Sequence, residues 1–138
     1  MKSKLFFLIV LLLSVFSLQA QILEPVKWNT QLKNEDNNNK EIIFHAKIEN
    51  GWHLYGLNIP EGGPRSTRFV FEKIQGAILS GNIHALNEAT TEYSPLFELK
   101  LSWYSKSADF SQKIEITDPK QFSISGYIEY QACNDLTC

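Results

Sequence analysis

From Lys40 onward, apolar and polar residues keep alternating with a period of two. In "KEIIFHAKIEN", Ile42, Phe44, Ala46 and Ile48 alternate with Glu41, Ile43, His45 and Lys47, the signature of a half-buried β-strand. "FELKLSWY" repeats it, with Phe97, Leu99, Leu101 and Trp103 on one side and Glu98, Lys100 and Ser102 on the other. "FSISGYIEY" does so through Phe122, Ile124, Ile128 and Tyr130, and Gly126 marks a bulge or a close backbone approach. Shorter strand candidates are "VKWNTQL", "WHLYGLNI", "RFVFEKI" and "QKIEI".

Turn chemistry separates these runs. Asn34 to Lys40 ("NEDNNNK") is a polar hairpin tip, Asn50–Gly51 a tight turn, and Pro60 to Pro64 ("PEGGP") a loop that no strand can cross. No amphipathic helix, internal repeat or linker stands out. Seven or eight short strands with regular turns predict an all-β domain, an immunoglobulin-like, two-sheet antiparallel sandwich.

The first twenty residues change the picture, because they set the compartment. Lys2 and Lys4 precede an apolar run from Leu5 to Phe16, and a short stretch then ends at Ala20. That is the layout of a secretory signal peptide, with cleavage expected after Ala20 although Leu18 is not an ideal residue two positions before it. The apolar run is shorter than the roughly 20 residues of a spanning helix. The domain would then be residues 21–138, with 11 basic and 15 acidic residues and a formal charge of −4. No basic cluster is present to neutralise a phosphate backbone, so nucleic acid is excluded as a partner.

Export makes disulfides possible, and both cysteines of the chain lie in its last six residues, Cys133 and Cys138. A ring that small stabilises a fold by roughly 2 kcal/mol before strain. It cannot pin two sheets together as a long-range disulfide does. Asn134 and Asp135 suit a turn that exposes the ring. The Asp135 carboxylate beside a thiol disfavours the thiolate, which is the reacting species. Chemistry alone leaves two roles open, a redox pair and a structural clip on a hairpin.

The segments "ENGWHLYG" and "GYIEYQACNDLTC" resemble a known family. The chain looks like the N-terminal periplasmic domain of DsbD-type thiol:disulfide interchange proteins, from about Trp28 to Cys138. The resemblance rests on Gly51 to Tyr55 and on the terminal Tyr–Gln–x–Cys motif, with its Asn/Asp loop and second cysteine. It implies an immunoglobulin-like domain in which Cys133 and Cys138 are the redox pair. That pair would take electrons from a thioredoxin-like domain and pass them to a periplasmic disulfide isomerase or a cytochrome c maturation thioredoxin. Cys138 would be the partner-facing sulfur. Contact with the membrane would come only through a downstream domain, and no cofactor is implied.

The family also has a cap loop whose aromatic residue shields the disulfide, and its counterpart is roughly His84 to Glu92. That segment has no phenylalanine or tyrosine, which leaves Tyr93 as the nearest substitute. Family members continue past the second cysteine with a proline-containing stretch and a further strand, so this sequence is either truncated after Cys138 or a stand-alone module lacking its final strand. Truncation is expected, because a missing strand would expose an unpaired edge. Trp52 and Tyr55 lie at i and i+3 of an extended run and face opposite sides. One belongs to the core, and Tyr55 is the candidate neighbour of the sulfurs. Tyr130 reads as core. His45, His53 and His84 sit on separate segments, with no spacing that argues for a metal site. The competing function is an extracytoplasmic binding or adhesion sandwich with a purely structural disulfide.

Overall fold

β1 (Val26–Asn34) and β2 (Asn39–Ile48) form an antiparallel hairpin in register from Val26↔Ile48 to Asn34↔Lys40. The computed structural model describes residues 23–36 and 38–138; the expected leader, residues 1–20, lies outside them. At the hairpin tip the Asp36 carboxylate accepts hydrogen bonds from the backbone and side-chain N–H groups of Asn39. The remaining strands are β3 (His53–Tyr55), β4 (Arg68–Gln75), β5 (Ala77–Ala85), β6 (Thr90–Ser94), β7 (Leu99–Tyr104), β8 (Ser107–Ile116), β9 (Ser123–Glu129) and β10 (Ala132–Cys133). The fold is all-β and antiparallel, with its sheets in the sandwich-like arrangement the sequence predicts.

One layer has the strand order β1-β2-β8-β5. The other is divided by hydrogen bonding into β10-β3-β7-β6 and the pair β4-β9. The register joins these two pieces. Cys133 faces His53, the Tyr55 N–H donates to the Gln131 carbonyl, and Arg68 faces Glu129. β3 and β4 therefore lie end to end along a single run formed by β9 and β10. The chain between them, residues 57–66, is looped out, and the Thr67 N–H donates to the Gly56 carbonyl at its base (2.9 Å).

The alternation in β2 reads out as expected, with Ile42, Ala46 and Ile48 buried and Phe44 packed beside them. Between the layers, Trp28 meets Phe69, Phe110 and Tyr130 at ring-centroid distances of 5.8, 6.0 and 5.7 Å. Tyr104 meets Phe110 edge-on at 5.5 Å. Gly126 is a close-approach point: a Cβ there would collide with the Val70 carbonyl, and β4 shifts register between Phe71 and Lys73 beside it.

Three features, two at β7 and one in β2, differ from the sequence pattern. Glu98 adopts φ 55° in the β6–β7 turn, so β7 begins at Leu99 and Phe97 falls outside it. Leu101 and Tyr104 are both buried although they point to opposite faces, because the 57–66 loop covers Leu101 near Gly63. Glu41 is buried on the nominally polar face of β2. There the Ser111 hydroxyl donates to its carboxylate and Lys33 lies 3.5 Å away. The Ser111 bond above all holds the Glu41 carboxyl below its usual range, against the opposing effect of burial.

Candidate functional site: the terminal disulfide and its sheet face

β10 contributes only Ala132 and Cys133, and alternation sends their side chains to opposite faces. Ala132 pairs with Leu54, which pairs with Tyr104, and all three are buried in the core. The other face carries Cys133, its cross-strand partner His53, and Tyr55 opposite Trp103. Gln131 shares that face, two residues before Cys133. The His53 and Trp103 rings lie 5.6 Å apart. This face is half-buried, and the 57–66 loop flanks it through Arg65.

Cys133 and Cys138 are joined in a disulfide, their Cα atoms 4.0 Å apart. The two sulfurs have unequal surroundings. Cys133 belongs to a buried residue, 6% exposed, whereas Cys138 is exposed. Asn134 shapes the ring: its Oδ1 accepts from the Leu136 and Thr137 N–H groups, and its own N–H donates to the Thr137 carbonyl. Gln131 is oriented from both ends. Its Oε1 accepts from the Arg65 N–H at 2.8 Å, which leaves Nε2 to donate toward Cys133 Sγ at 3.6 Å. On reduction, the same donor would stabilise a thiolate at Cys133.

A family model described as "Thiol:disulfide interchange protein DsbD, N-terminal" matches residues 19–138. The chain belongs to this family. No curated protein and no solved structure matches it. Membership in the DsbD N-terminal family brings the general activity, thiol:disulfide interchange, together with thioredoxin-like redox partners and a periplasmic setting for domains of this kind.

Within this DsbD-type domain the sequence-derived candidates are distributed unevenly. Tyr55 shares the sheet face of Cys133, and burial raises its phenol pKa, so it stays protonated at neutral pH. Asp135 lies exposed in the ring and makes no hydrogen bond or ion pair among the described residues. Tyr93 is 59% exposed on β6, the edge of the sheet opposite β10. Three strand spacings separate those edges, about 14 Å, and Tyr93 is displaced a further ~17 Å along the strands.

The His84–Glu92 segment completes β5, crosses at residues 86–89 and starts β6. Asn87 ties it to β8, donating to the Ser107 carbonyl and accepting from the Asp109 N–H. Trp52 is in the core and Tyr130 packs against it. Two neighbours of Cys133, His53 and Gln131, were not among the candidates, nor was Trp103, which packs against His53. Gln131 was legible within the Tyr–Gln–x–Cys motif. His53 was legible only through its parity with Tyr55.

Proposed function

We propose that this domain is an exported electron relay. Its Cys133/Cys138 pair takes electrons from a thioredoxin-like donor and delivers them to a periplasmic oxidoreductase, either a disulfide isomerase or a cytochrome c maturation thioredoxin. The signal-like leader supports export. The observation that carries the reading is the asymmetry of the disulfide, one sulfur exposed and the other buried beside an oriented amide donor. Such a pair suits exchange by attack on the outer sulfur, with the inner one leaving as a stabilised thiolate. Thiol–disulfide exchange moves two electrons through sulfur alone, so the relay needs no cofactor.

The test is which single-cysteine variant traps a partner. Cys133→Ser leaves Cys138 free to form a mixed disulfide that nothing resolves, and it is expected to accumulate a covalent complex with a thioredoxin-like protein. Cys138→Ser is expected to accumulate little, because Cys133 is buried. The opposite pattern would make Cys133 the attacked sulfur. Trapping by neither variant would leave the domain as a binding sandwich with a structural disulfide.

Asp135 belongs to the same proposal as a brake on idle exchange. Asn134 already makes the turn's side-chain bonds, so the carboxylate is left to act by charge. Asp135→Asn is expected to speed alkylation of the reduced protein near pH 7 severalfold, since a thiol pKa one unit lower gives nearly tenfold more thiolate. An unchanged alkylation profile against pH would remove Asp135 from reactivity control. Tyr55, on the sulfur-bearing face, is proposed as a contact residue for the partner beside the pair, and Tyr93, on the opposite edge of that sheet, as a contact only for a partner that spans the sheet.

A further inference from the structure

Attack on Cys138 requires the electron pair of the broken bond to come to rest on Cys133, whose residue is buried. Placing a thiolate in such surroundings is costly unless a donor or a cation meets it. Gln131 supplies one neutral donor at 3.6 Å. Neither β3 nor β10 carries a lysine or arginine. What they do carry is His53, the direct ladder partner of Cys133. Directly opposed residues of an antiparallel pair project to the same face, with Cβ atoms about 4.5–5.5 Å apart. Trp103 packs against the imidazole at 5.6 Å and limits its movement.

We propose that His53 is the proton donor and acceptor for the Cys133 sulfur during interchange. This rests on the reading of Cys133/Cys138 as the exchanging pair. In the first step, a partner thiolate attacks Cys138 Sγ, forming a mixed disulfide and breaking the Cys133–Cys138 bond. The leaving electron pair stays on Cys133 Sγ, and the His53 imidazolium transfers its proton there, giving a thiol and a neutral imidazole. The donor's second thiolate then attacks the donor's own sulfur in that mixed disulfide, which leaves the donor oxidised and releases Cys138 as a thiolate. In the return direction, Cys138 thiolate attacks an acceptor disulfide, one acceptor sulfur departs as a thiolate, and Cys138 is left in a mixed disulfide with the other. Neutral His53 then takes the Cys133 proton, and the Cys133 thiolate attacks Cys138 Sγ and expels the acceptor thiolate. Atoms and electrons balance, with the partner dithiol or disulfide as the only co-reactant.

Strand pairing and chain position place five titratable or charged groups around His53. They are Tyr55 on β3, Cys133 and Asp135 from the β10 end, Arg65 from the 57–66 loop, and Lys106 just past β7. Histidine is the side chain whose charge ordinarily changes within the neutral range. An imidazolium-assisted departure should therefore be fast in mild acid and fade as pH rises.

The experiment measures reduction of the oxidised domain by dithiothreitol from pH 5.5 to 9, with each rate divided by the fraction of dithiothreitol present as thiolate. For the wild type this corrected rate should fall with rising pH, by on the order of tenfold or more. His53→Gln should give the low rate at every pH, and His53→Lys, which keeps a cation, should restore a high rate that no longer falls near neutrality. A corrected wild-type rate that is flat across the range would overturn the assignment, whether or not either variant folds. So would a His53→Gln profile that follows the wild type. If dithiothreitol reduces the wild-type disulfide only after denaturation, the interchange reading itself falls. That outcome is distinct from a readily reduced disulfide indifferent to His53.

Discussion

Phe110→Ala is expected to lower the stability of the domain by about 3–5 kcal/mol, the range for emptying a fully enclosed phenylalanine site. Phe110 is 0% exposed on β8 and pairs with Phe44 on one side and Ala85 on the other. Its ring also meets Trp28, Phe69 and Tyr104, so it joins side chains from both layers. A loss of that size is a large part of the 5–15 kcal/mol that separates most folded domains from their unfolded chains. Urea titration of the oxidised protein measures it, with Leu136→Ala as the comparison because Leu136 is 93% exposed in the cysteine ring. The comparison variant should move the midpoint little. A Phe110→Ala loss below about 1 kcal/mol would mean that the layers are held together elsewhere.

Replacing both Cys133 and Cys138 with serine should have the reverse profile. Interchange should be abolished outright, while stability falls by about 2 kcal/mol or less. The ring closes only six residues, so opening it frees little unfolded-state entropy. Asn134 also ties the ring through three hydrogen bonds that need no sulfur. Equilibration of the wild-type disulfide with glutathione or a thioredoxin supplies the companion measurement. An interchange pair should settle in the range of oxidoreductases, whereas a structural pair resists reduction below about −300 mV. A loss of 4 kcal/mol or more in the double variant, together with so low a potential, would establish the structural clip.

The parts of the fold that were legible in the sequence are those whose signal is local. The alternation in Ile42–Ile48 identified β2, and Gly126 announced its close approach because only a residue without a Cβ fits against Val70. β5 and β6 carry no such signal. β5 is an edge strand with Ile78 and Leu79 exposed, and its register shifts between Ser80 and His84, so it shows no clean period of two. The site divides in the same way. The cysteine spacing and the Asn/Asp turn are written in six adjacent residues. The pairing of His53 with Cys133, or the Arg65 N–H aiming the Gln131 amide, depends on register between segments more than sixty residues apart. A single sequence does not state such a register.

The looped-out chain between β3 and β4 has a bearing on heredity. Because the two strands share one ladder line and the loop closes at its base between Gly56 and Thr67, residues can be gained or lost between them without shifting the pairing of either strand. The wall beside the cysteines can therefore vary in length and chemistry while the scaffold stays as it is. Descendants of this chain could change the surface beside the cysteines without having to refold around the change.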